Sequence, residues 1–179
     1  MEKILRTAMF AFGLLLVAFG VQTLTVHKFS RLQEYALSNS GKTFTIAKDR
    51  ERHLDCLARN IYYEAGVEPF EGKVAVAQVT INRSKSGKFP NDICQVIYQK
   101  NVVFEKVICQ FSWYCEQAAI RRPIDRTVYN ESMEVAKKVL LEDFRISSVK
   151  TALFYHADYV NPGWGKKPIT KIGRHIFYE

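Results

Sequence analysis

The clearest pattern of apolar and polar positions in this chain begins at Leu54 and predicts a helix with one buried stripe. The apolar residues recur with the spacing i, i+3, i+4, i+7 and i+11, at Leu54, Leu57, Ala58, Ile61 and Ala65. Gly66 and Pro69 follow and are expected to end the helix. At about 100° per residue, Glu64 falls on the shoulder of the apolar stripe, so the sequence predicts a half-buried carboxylate there.

Residues 71–84, EGKVAVAQVTINRS, fit two kinds of secondary structure. The helical interpretation places one face on Val74, Ala75, Ala77, Gln78 and Ile81. The β-branched run Val79–Thr80–Ile81 would also suit a strand. The length of the segment and its alanine content favour the helix.

A loop and two further helices are predicted after this segment. Residues 86–92, SGKFPND, contain the glycine and proline of a loop. A helix is expected around Ile93–Gln99, and residues 130–143 form a clear amphipathic pattern. The inner side of that last helix is predicted to carry Met133, Val135, Val139 and Leu140.

The carboxyl-terminal part of the chain changes character. Residues 151–157, TALFYHA, and 175–179, HIFYE, are typical of short strands. Between them, residues 158–174 form a loop that is broken by glycine and proline and carries aromatic and basic side chains. Together these patterns predict an α+β fold that is mainly helical and contains a small β-sheet.

The amino-terminal segment is predicted to direct export. After Lys3 and Arg6, residues 8–26 carry no charge over 19 positions, about the length that spans a bilayer core. Ala18 and Gly20 also suit a signal-peptide cleavage site, so residues 1–27 are either a signal anchor or a cleaved signal peptide. Residues 28–50 are predicted to be a stalk with one short helix, and residues 51–179 the folded domain.

Composition and charge restrict the class of protein. With 179 residues, 47% of them hydrophobic, the chain is long enough for one globular domain with its own core. A net charge of +8 attracts polyanions in general, including nucleic acid, anionic lipid and acidic cell-wall polymers. Zinc-finger spacing, RNP-type motifs and long Lys/Arg runs are missing from the sequence, so we do not expect nucleic acid as a partner. We expect a monomer that needs no cofactor.

The four cysteines are Cys56, Cys94, Cys109 and Cys115, all downstream of the apolar segment. An even number in an exported chain indicates two disulfides, and three pairings are possible. No CxxC motif occurs, which disfavours a zinc ribbon or a thioredoxin-type site.

Glu64 is the first candidate for chemistry. A carboxylate at the edge of a core, between Tyr63 and Ala65, loses hydration, and this raises its pKa. A carboxylic acid that is neutral near neutral pH is the group that protonates the leaving oxygen when a glycosidic bond is cleaved. The alternative is a surface glutamate that pairs with a nearby lysine or arginine. Glu68 offers either a second carboxylate for an acid and base pair or an acceptor for backbone N–H groups of the following turn.

The histidines and aromatic residues allow further interpretations. His156 and His175 could bind a metal ion, but neither stands in a local ligand motif such as HExxH, which favours packed structural histidines and no metal site. Aromatic rings could stack against sugar rings, and the candidates are Phe111, Trp113, Tyr155, Tyr159 and Trp164. Each of these rings taken singly is more typical of a core.

Taken in order along the chain, these segments resemble the SleB/CwlJ family of cell wall hydrolases, the spore-cortex-lytic type. The resemblance covers residues 54–178 and is carried by CLARNIYYEAGVEPFEGKVAVAQVTINR (56–83), KFPNDICQVIYQ (88–99), CQFSWYCE (109–116), ALFYHADYVNPGW (152–164) and IGRHIFY (172–178). It implies a lysozyme-like single domain related to lytic transglycosylases, located in the periplasm and anchored in the inner membrane if residues 1–27 are retained.

The resemblance also implies the site residues. Glu64, in the YxEA motif, would be the general acid and base. The substrate-binding residues would be Tyr63, Glu68, Gln110, Phe111, Ser112, Trp113, Tyr155, His156, Asn161 and Trp164. The family usually has Arg-Gly where this chain has Gly66 and Val67, so whatever that arginine contributes is absent here.

The expected substrate is peptidoglycan, and the expected reaction cleaves the bond between N-acetylmuramic acid (MurNAc) and N-acetylglucosamine (GlcNAc) to leave a 1,6-anhydro end. A muramidase would use water and a second carboxylate such as Glu68. An amidase that cuts the muramoyl–alanine bond would need a metal ion. Two non-enzymatic alternatives also remain, a catalytically impaired glycan-binding protein and a protein that binds the membrane surface through its basic face.

Overall fold

The computed structural model describes residues 2–179, and before Gly20 it describes only some of the side chains. Within this range the chain forms five α-helices: α1 (Glu2–Ala65), α2 (Phe70–Lys85), α3 (Ile93–Ile97), α4 (Gln117–Ile120) and α5 (Arg126–Leu141). Ser112–Tyr114 and Ser147–Val149 form short 3₁₀ helices. The predicted mainly helical α+β class is confirmed, and so is the helical interpretation of residues 71–84.

The strands form two separate sheets. β1 (Lys100–Val103) and β2 (Lys106–Cys109) make an antiparallel hairpin. β3 (Phe154–Ala157), β4 (Thr170–Ile172) and β5 (His175–Tyr178) make an antiparallel sheet in the order β3-β5-β4. The strands predicted within 151–157 and 175–179 are thus confirmed, whereas the predicted loop 158–174 contains β4.

The chain divides into two compact units, Met1–Lys48 and Asp49–Glu179. In the first unit, residues 28–48 lie within α1, so the single short helix predicted there is wrong. That these residues form a stalk stays a prediction. No proline occurs before Pro69, so every residue of this stretch keeps the backbone N–H that a continuous helix needs. The hydroxyls of Thr43 and Thr45 donate to carbonyls one turn back, so they do not compete for the backbone N–H groups.

The export and anchoring role of residues 1–27 stays a prediction. Most of the apolar residues of this segment lie outside the described side chains. Among residues 2–179, no helix meets the length and hydropathy that a membrane crossing requires.

In the second unit, α2 is the central element. Its residues from Gly72 to Ile81 are all buried, the polar side chains of Lys73, Gln78 and Thr80 included. One side packs against α1, α3 and α5 through residues such as Ile61, Val96 and Val139. The other side packs against the three-stranded sheet, where Ala75 and Val79 cluster with Phe177. The carboxyl end of α1 is thereby fixed against the rest of the unit.

Two disulfides are present, as predicted, and the structure selects one of the three possible pairings. Cys56 pairs with Cys94 and joins α1 to α3. Cys109 pairs with Cys115 and closes a short loop after β2. The loop contains the QFSW sequence that the resemblance places in the substrate groove.

Candidate active site

A cleft of about 770 Å³ opens beside the carboxyl-terminal end of α1. Its three sides come from the last turn of α1, from the disulfide-closed loop after β2, and from β3 and β5. Eight of the eleven site residues expected from the sequence line it: Tyr63, Glu64, Gln110, Phe111, Ser112, Trp113, Tyr155 and His156. Residues from three distant parts of the chain therefore meet in one cleft.

Glu64 lies half-buried in this cleft, within the last turn of α1. The hydroxyl of Tyr155 donates a hydrogen bond of 2.9 Å to its Oε2. Burial raises the pKa of Glu64, while the bond from Tyr155 and the charge of Arg83 act in the opposite direction and the charge of Glu116 adds to the rise. The half-burial and the raised pKa predicted for Glu64 are both confirmed.

Arg83 is a cleft residue that the sequence analysis missed. It belongs to α2, is only 4% exposed, and its Nε donates a 2.7 Å hydrogen bond to the carbonyl of Leu153. The guanidinium lies between the rings of Phe89 and Phe111, at 5.2 and 5.1 Å from their centroids. A charged side chain two residues after Ile81, the last residue of the predicted apolar face, was the signal that could have identified it.

The loop closed by Cys109 and Cys115 forms one side of the cleft. The ring of Trp113 stacks on that of Tyr63, with centroids 4.5 Å apart. Its Nε1 donates a 3.0 Å hydrogen bond to Oδ1 of Asn60, a buried residue of α1. The disulfide closes the loop on itself, and this buried hydrogen bond holds the loop against the helix that carries Glu64.

The opposite side consists of Tyr155, His156 and His175. His156 hydrogen-bonds through Nε2 to the hydroxyl of Tyr178 and through Nδ1 to the carbonyl of Ala157, at 2.8 and 2.9 Å. His175 is buried with its ring edge-on to that of Tyr155, and burial lowers its pKa. In the described part of the chain, no three His, Cys, Asp or Glu side chains are grouped to hold a metal ion.

Three residues expected at the substrate do not line this cleft. Glu68 is buried, and its Oε2 accepts a 2.9 Å hydrogen bond from the backbone N–H of Arg174, in the turn between β4 and β5. The side chain of Asn161 accepts a bond from the N–H of Gly163, and Trp164 packs edge-on against Phe154. Glu68 therefore accepts a backbone N–H, as one alternative proposed, although from a turn far along the chain. A substrate contact by these three residues stays a prediction.

Gly66 fills a position where the backbone leaves no room for a side chain. A Cβ added there would lie 2.5 Å from the carbonyl oxygen of Tyr62 and 3.0 Å from Cγ1 of Val128 in α5. The arginine that the resemblance implies at this position therefore does not fit this backbone without movement of α5 or of the turn. Val67, by contrast, is 94% exposed.

We expect Gly66→Ala to destabilise the protein by about 1–3 kcal/mol, because the added methyl group overpacks the contact with α5. The measurement is urea unfolding of the wild type and the variant. Val67→Arg serves as the control and should change the free energy of unfolding by no more than about 0.5 kcal/mol. Equal stability of Gly66→Ala and the wild type would show that the turn adapts to a Cβ at this position.

Comparisons with known proteins agree with this architecture. The sequence profile of the Cell Wall Hydrolase family matches residues 67–178, a range that begins just after Glu64. The spore cortex-lytic enzyme of Bacillus subtilis (strain 168) is 32% identical over 130 residues, which are 69% of this chain and 36% of the relative. That of Bacillus cereus is 30% identical over 135 residues, which are 71% of this chain and 44% of the relative.

Two solved structures are similar to the chain. The catalytic domain of the Bacillus cereus SleB protein aligns with a TM-score of 0.53 and 25% identity, covering 72% of this chain and 91% of that one. The catalytic domain of the germination-specific lytic transglycosylase SleB from Bacillus anthracis aligns with a TM-score of 0.52 and 25% identity, covering 71% and 93%. The chain spans less than half the length of the full-length relatives named above. The matched profile and the relatives together show that this chain belongs to the Cell Wall Hydrolase family.

Proposed function

We propose that this protein cleaves the MurNAc–GlcNAc bond of peptidoglycan as a lytic transglycosylase. The observation that carries the proposal is the half-buried carboxyl of Glu64, whose pKa burial raises and which opens onto a cleft lined by aromatic rings. Such an acid keeps its proton closer to neutral pH than an exposed glutamate does. The relative from Bacillus anthracis is itself named a lytic transglycosylase, which agrees with this choice.

In the first step, protonated Glu64 donates its proton to the glycosidic oxygen, and the bond from that oxygen to C1 of MurNAc breaks. The GlcNAc unit leaves with a free 4-hydroxyl. In the second step, the Glu64 carboxylate removes the proton of the MurNAc 6-hydroxyl, whose oxygen bonds to C1. The product is a 1,6-anhydro end, no water is consumed, and Glu64 is again protonated.

The chain's own residues fit these two steps. The hydroxyl of Tyr155 donates to Oε2 of Glu64 and fixes the orientation of the carboxyl group. Tyr63 is half-buried and lines the cleft, and its ring is held in place by stacking on the buried Trp113, so a sugar ring can pack against Tyr63. Because the second nucleophile belongs to the substrate, the reaction needs only one protein carboxylate.

A muramidase is the second candidate, and Glu116 is the observation that favours it. Glu116 lines the same cleft and is close enough for its charge to raise the pKa of Glu64. In that reaction Glu116, rather than Glu68, would direct a water molecule to C1 of MurNAc. Glu68 is less suited because it is held in its hydrogen bond to Arg174.

Product analysis tests the proposal. The full chain is incubated with purified sacculi in oxygen-18 water, and the released fragments are analysed by mass spectrometry. Anhydro-muropeptides without the heavy isotope support the transglycosylase. Labelled reducing ends would establish the muramidase, freed stem peptides the amidase, and binding without release the impaired protein.

We further propose that residues 1–27 direct export and hold the protein at the inner membrane, so that it meets peptidoglycan in the periplasm. The two disulfides agree with an oxidising compartment. Fractionation of cells that produce the full chain tests this, because alkaline extraction leaves an anchored protein with the membrane and releases one whose signal is cleaved.

A further inference from the structure

Arg83 has a property that its structural contacts do not explain. The hydrogen bond from its Nε to Leu153 joins α2 to the start of β3, which accounts for one of its donors. Its Nη1 is buried and has no hydrogen-bond partner among the described residues. Arg83 is only 4% exposed, and no ion pair of its guanidinium is found among residues 2–179. The rings of Phe89 and Phe111 contact this guanidinium, but they supply no counter-charge, and a buried cation without one is costly to a fold.

The cation lines the same cleft as Glu64, and Tyr155 interacts with both residues. The Tyr155 hydroxyl is bonded to Glu64, and the charges of Arg83 and Glu64 act on Tyr155 in opposite directions. An arginine stays protonated throughout the pH range in which an enzyme works. Glu64 thus shares the cleft with a permanent positive charge that forms no direct ion pair with it.

This inference rests on the proposed function. We infer that Arg83 is a positioning residue whose fixed charge stabilises the Glu64 carboxylate after proton donation, so that Glu64 can act next as the base. Its charge already acts on Glu64 at a distance, and its Nη1 is a donor without a partner among the described residues. Without the cation, the burial that makes Glu64 a good acid also makes its carboxylate too costly to form.

The groups that face Glu64 determine the expected pH dependence. Arg83 of α2 and the Tyr155 hydroxyl of β3 lower the pKa of Glu64, while Glu116, which precedes α4, raises it. His175 of β5 packs against Tyr155, and burial lowers the pKa of its imidazole. Removal of the Arg83 charge therefore raises the pKa of Glu64 further, and removal of the Glu116 charge lowers it.

The test compares Arg83→Met with Arg83→Lys in the full chain, using soluble glycan strands. For Arg83→Met we expect kcat to fall about tenfold or more with little change in KM. The alkaline limb of the activity profile, where Glu64 loses its proton, should move up by about one pH unit. Arg83→Lys keeps the charge, so its alkaline limb should stay at the wild-type position and most of the rate should return.

Glu116→Gln gives an independent measurement, because that side chain is exposed and its loss should not affect folding. It should move the alkaline limb to lower pH. An unchanged limb in folded Arg83→Met would overturn the inference and leave Arg83 a structural residue. If Arg83→Met does not fold, the test depends on Arg83→Lys. An alkaline limb that moves to higher pH in Arg83→Lys, although the positive charge is kept, also overturns the inference.

Failure of the proposed function would be visible separately. It would appear in the products of the wild-type protein, which would lack glycan fragments. Failure of the inference about Arg83 appears only in the pH profiles of the variants, while the wild type still releases anhydro-muropeptides.

Discussion

Glu64→Gln is expected to reduce the release of glycan fragments by roughly 10²–10⁴-fold, the range that a general acid and base contributes. Glutamine has nearly the same shape and can still accept the bond from Tyr155, but it cannot donate a proton to the glycosidic oxygen. The measurement is the initial rate of muropeptide release from sacculi. Glu134→Gln is the matched control, because Glu134 lies on α5 and pairs with Lys137 through its exposed carboxylate.

The same substitution has a predicted effect on stability with a definite sign. Burial raises the pKa of Glu64 in the folded state above its ordinary value of 4.5. Proton binding therefore favours the folded state at low pH, and this advantage is lost as the pH rises through the raised pKa. Glu64→Gln should consequently unfold at a higher temperature than the wild type at neutral and alkaline pH, and the difference should shrink below pH 4.5.

Together, these two measurements distinguish a lost acid from a lost fold. A variant that is more stable and nearly inactive supports the proposed role of Glu64. A folded variant that retains full activity would show that another group is the acid. The two-step mechanism through Glu64 would then be wrong.

The position of Glu64 could be predicted because helical periodicity is a local property of the sequence. Residues less than a dozen positions apart define the apolar stripe that begins at Leu54 and place Glu64 at its edge. This position predicts that Glu64 is half-buried and that its pKa is raised. The hydrogen-bond partner could not be found in this way, because Tyr155 lies 91 residues further along the chain. The resemblance placed both residues in one groove, and the structure adds the contact between them.

Glu68 and Arg83 show how tertiary packing decides roles that the sequence leaves open. The acceptor role of Glu68 was recognised, but its donor, Arg174, lies 106 residues away. The sequence around Arg83 indicates only a helix or a strand, and the position of Arg83 between Phe89 and Phe111 depends on three separate segments of the chain. Contacts between residues far apart in the chain leave no periodic pattern in a single sequence, so they cannot be predicted from it.

The β1–β2 hairpin was missed for a different reason. Its turn uses Phe104 and Glu105 at positive φ, 48° and 63°, where hairpins usually have glycine or asparagine. Without those residues, the sequence contains no turn signal between the two strands. The omission matters for the site because β2 leads directly into the loop that Cys109 and Cys115 close.

The two disulfides are predicted to act on different properties of the protein. In the chain-entropy description, a crosslink across 38 residues contributes about 4 kcal/mol to stability and one across 6 residues about 2 kcal/mol. The double substitution Cys56→Ala and Cys94→Ala should therefore cause the larger loss in the free energy of unfolding. The double substitution Cys109→Ala and Cys115→Ala should cause the smaller loss.

Activity should show the opposite order. The loop between Cys109 and Cys115 contains the four cleft residues from Gln110 to Trp113, so its release loosens one side of the cleft. At a temperature where both variants are folded, we expect the Cys109/Cys115 variant to lose about tenfold or more in rate, because misplacing substrate contacts is costly to catalysis. The Cys56/Cys94 variant should retain most of the wild-type rate, since that crosslink joins α1 to α3 outside the cleft. Urea unfolding and muropeptide release measure the two properties. A Cys109/Cys115 variant with unimpaired activity would mean that the bond between Trp113 and Asn60 is sufficient to hold the loop in place.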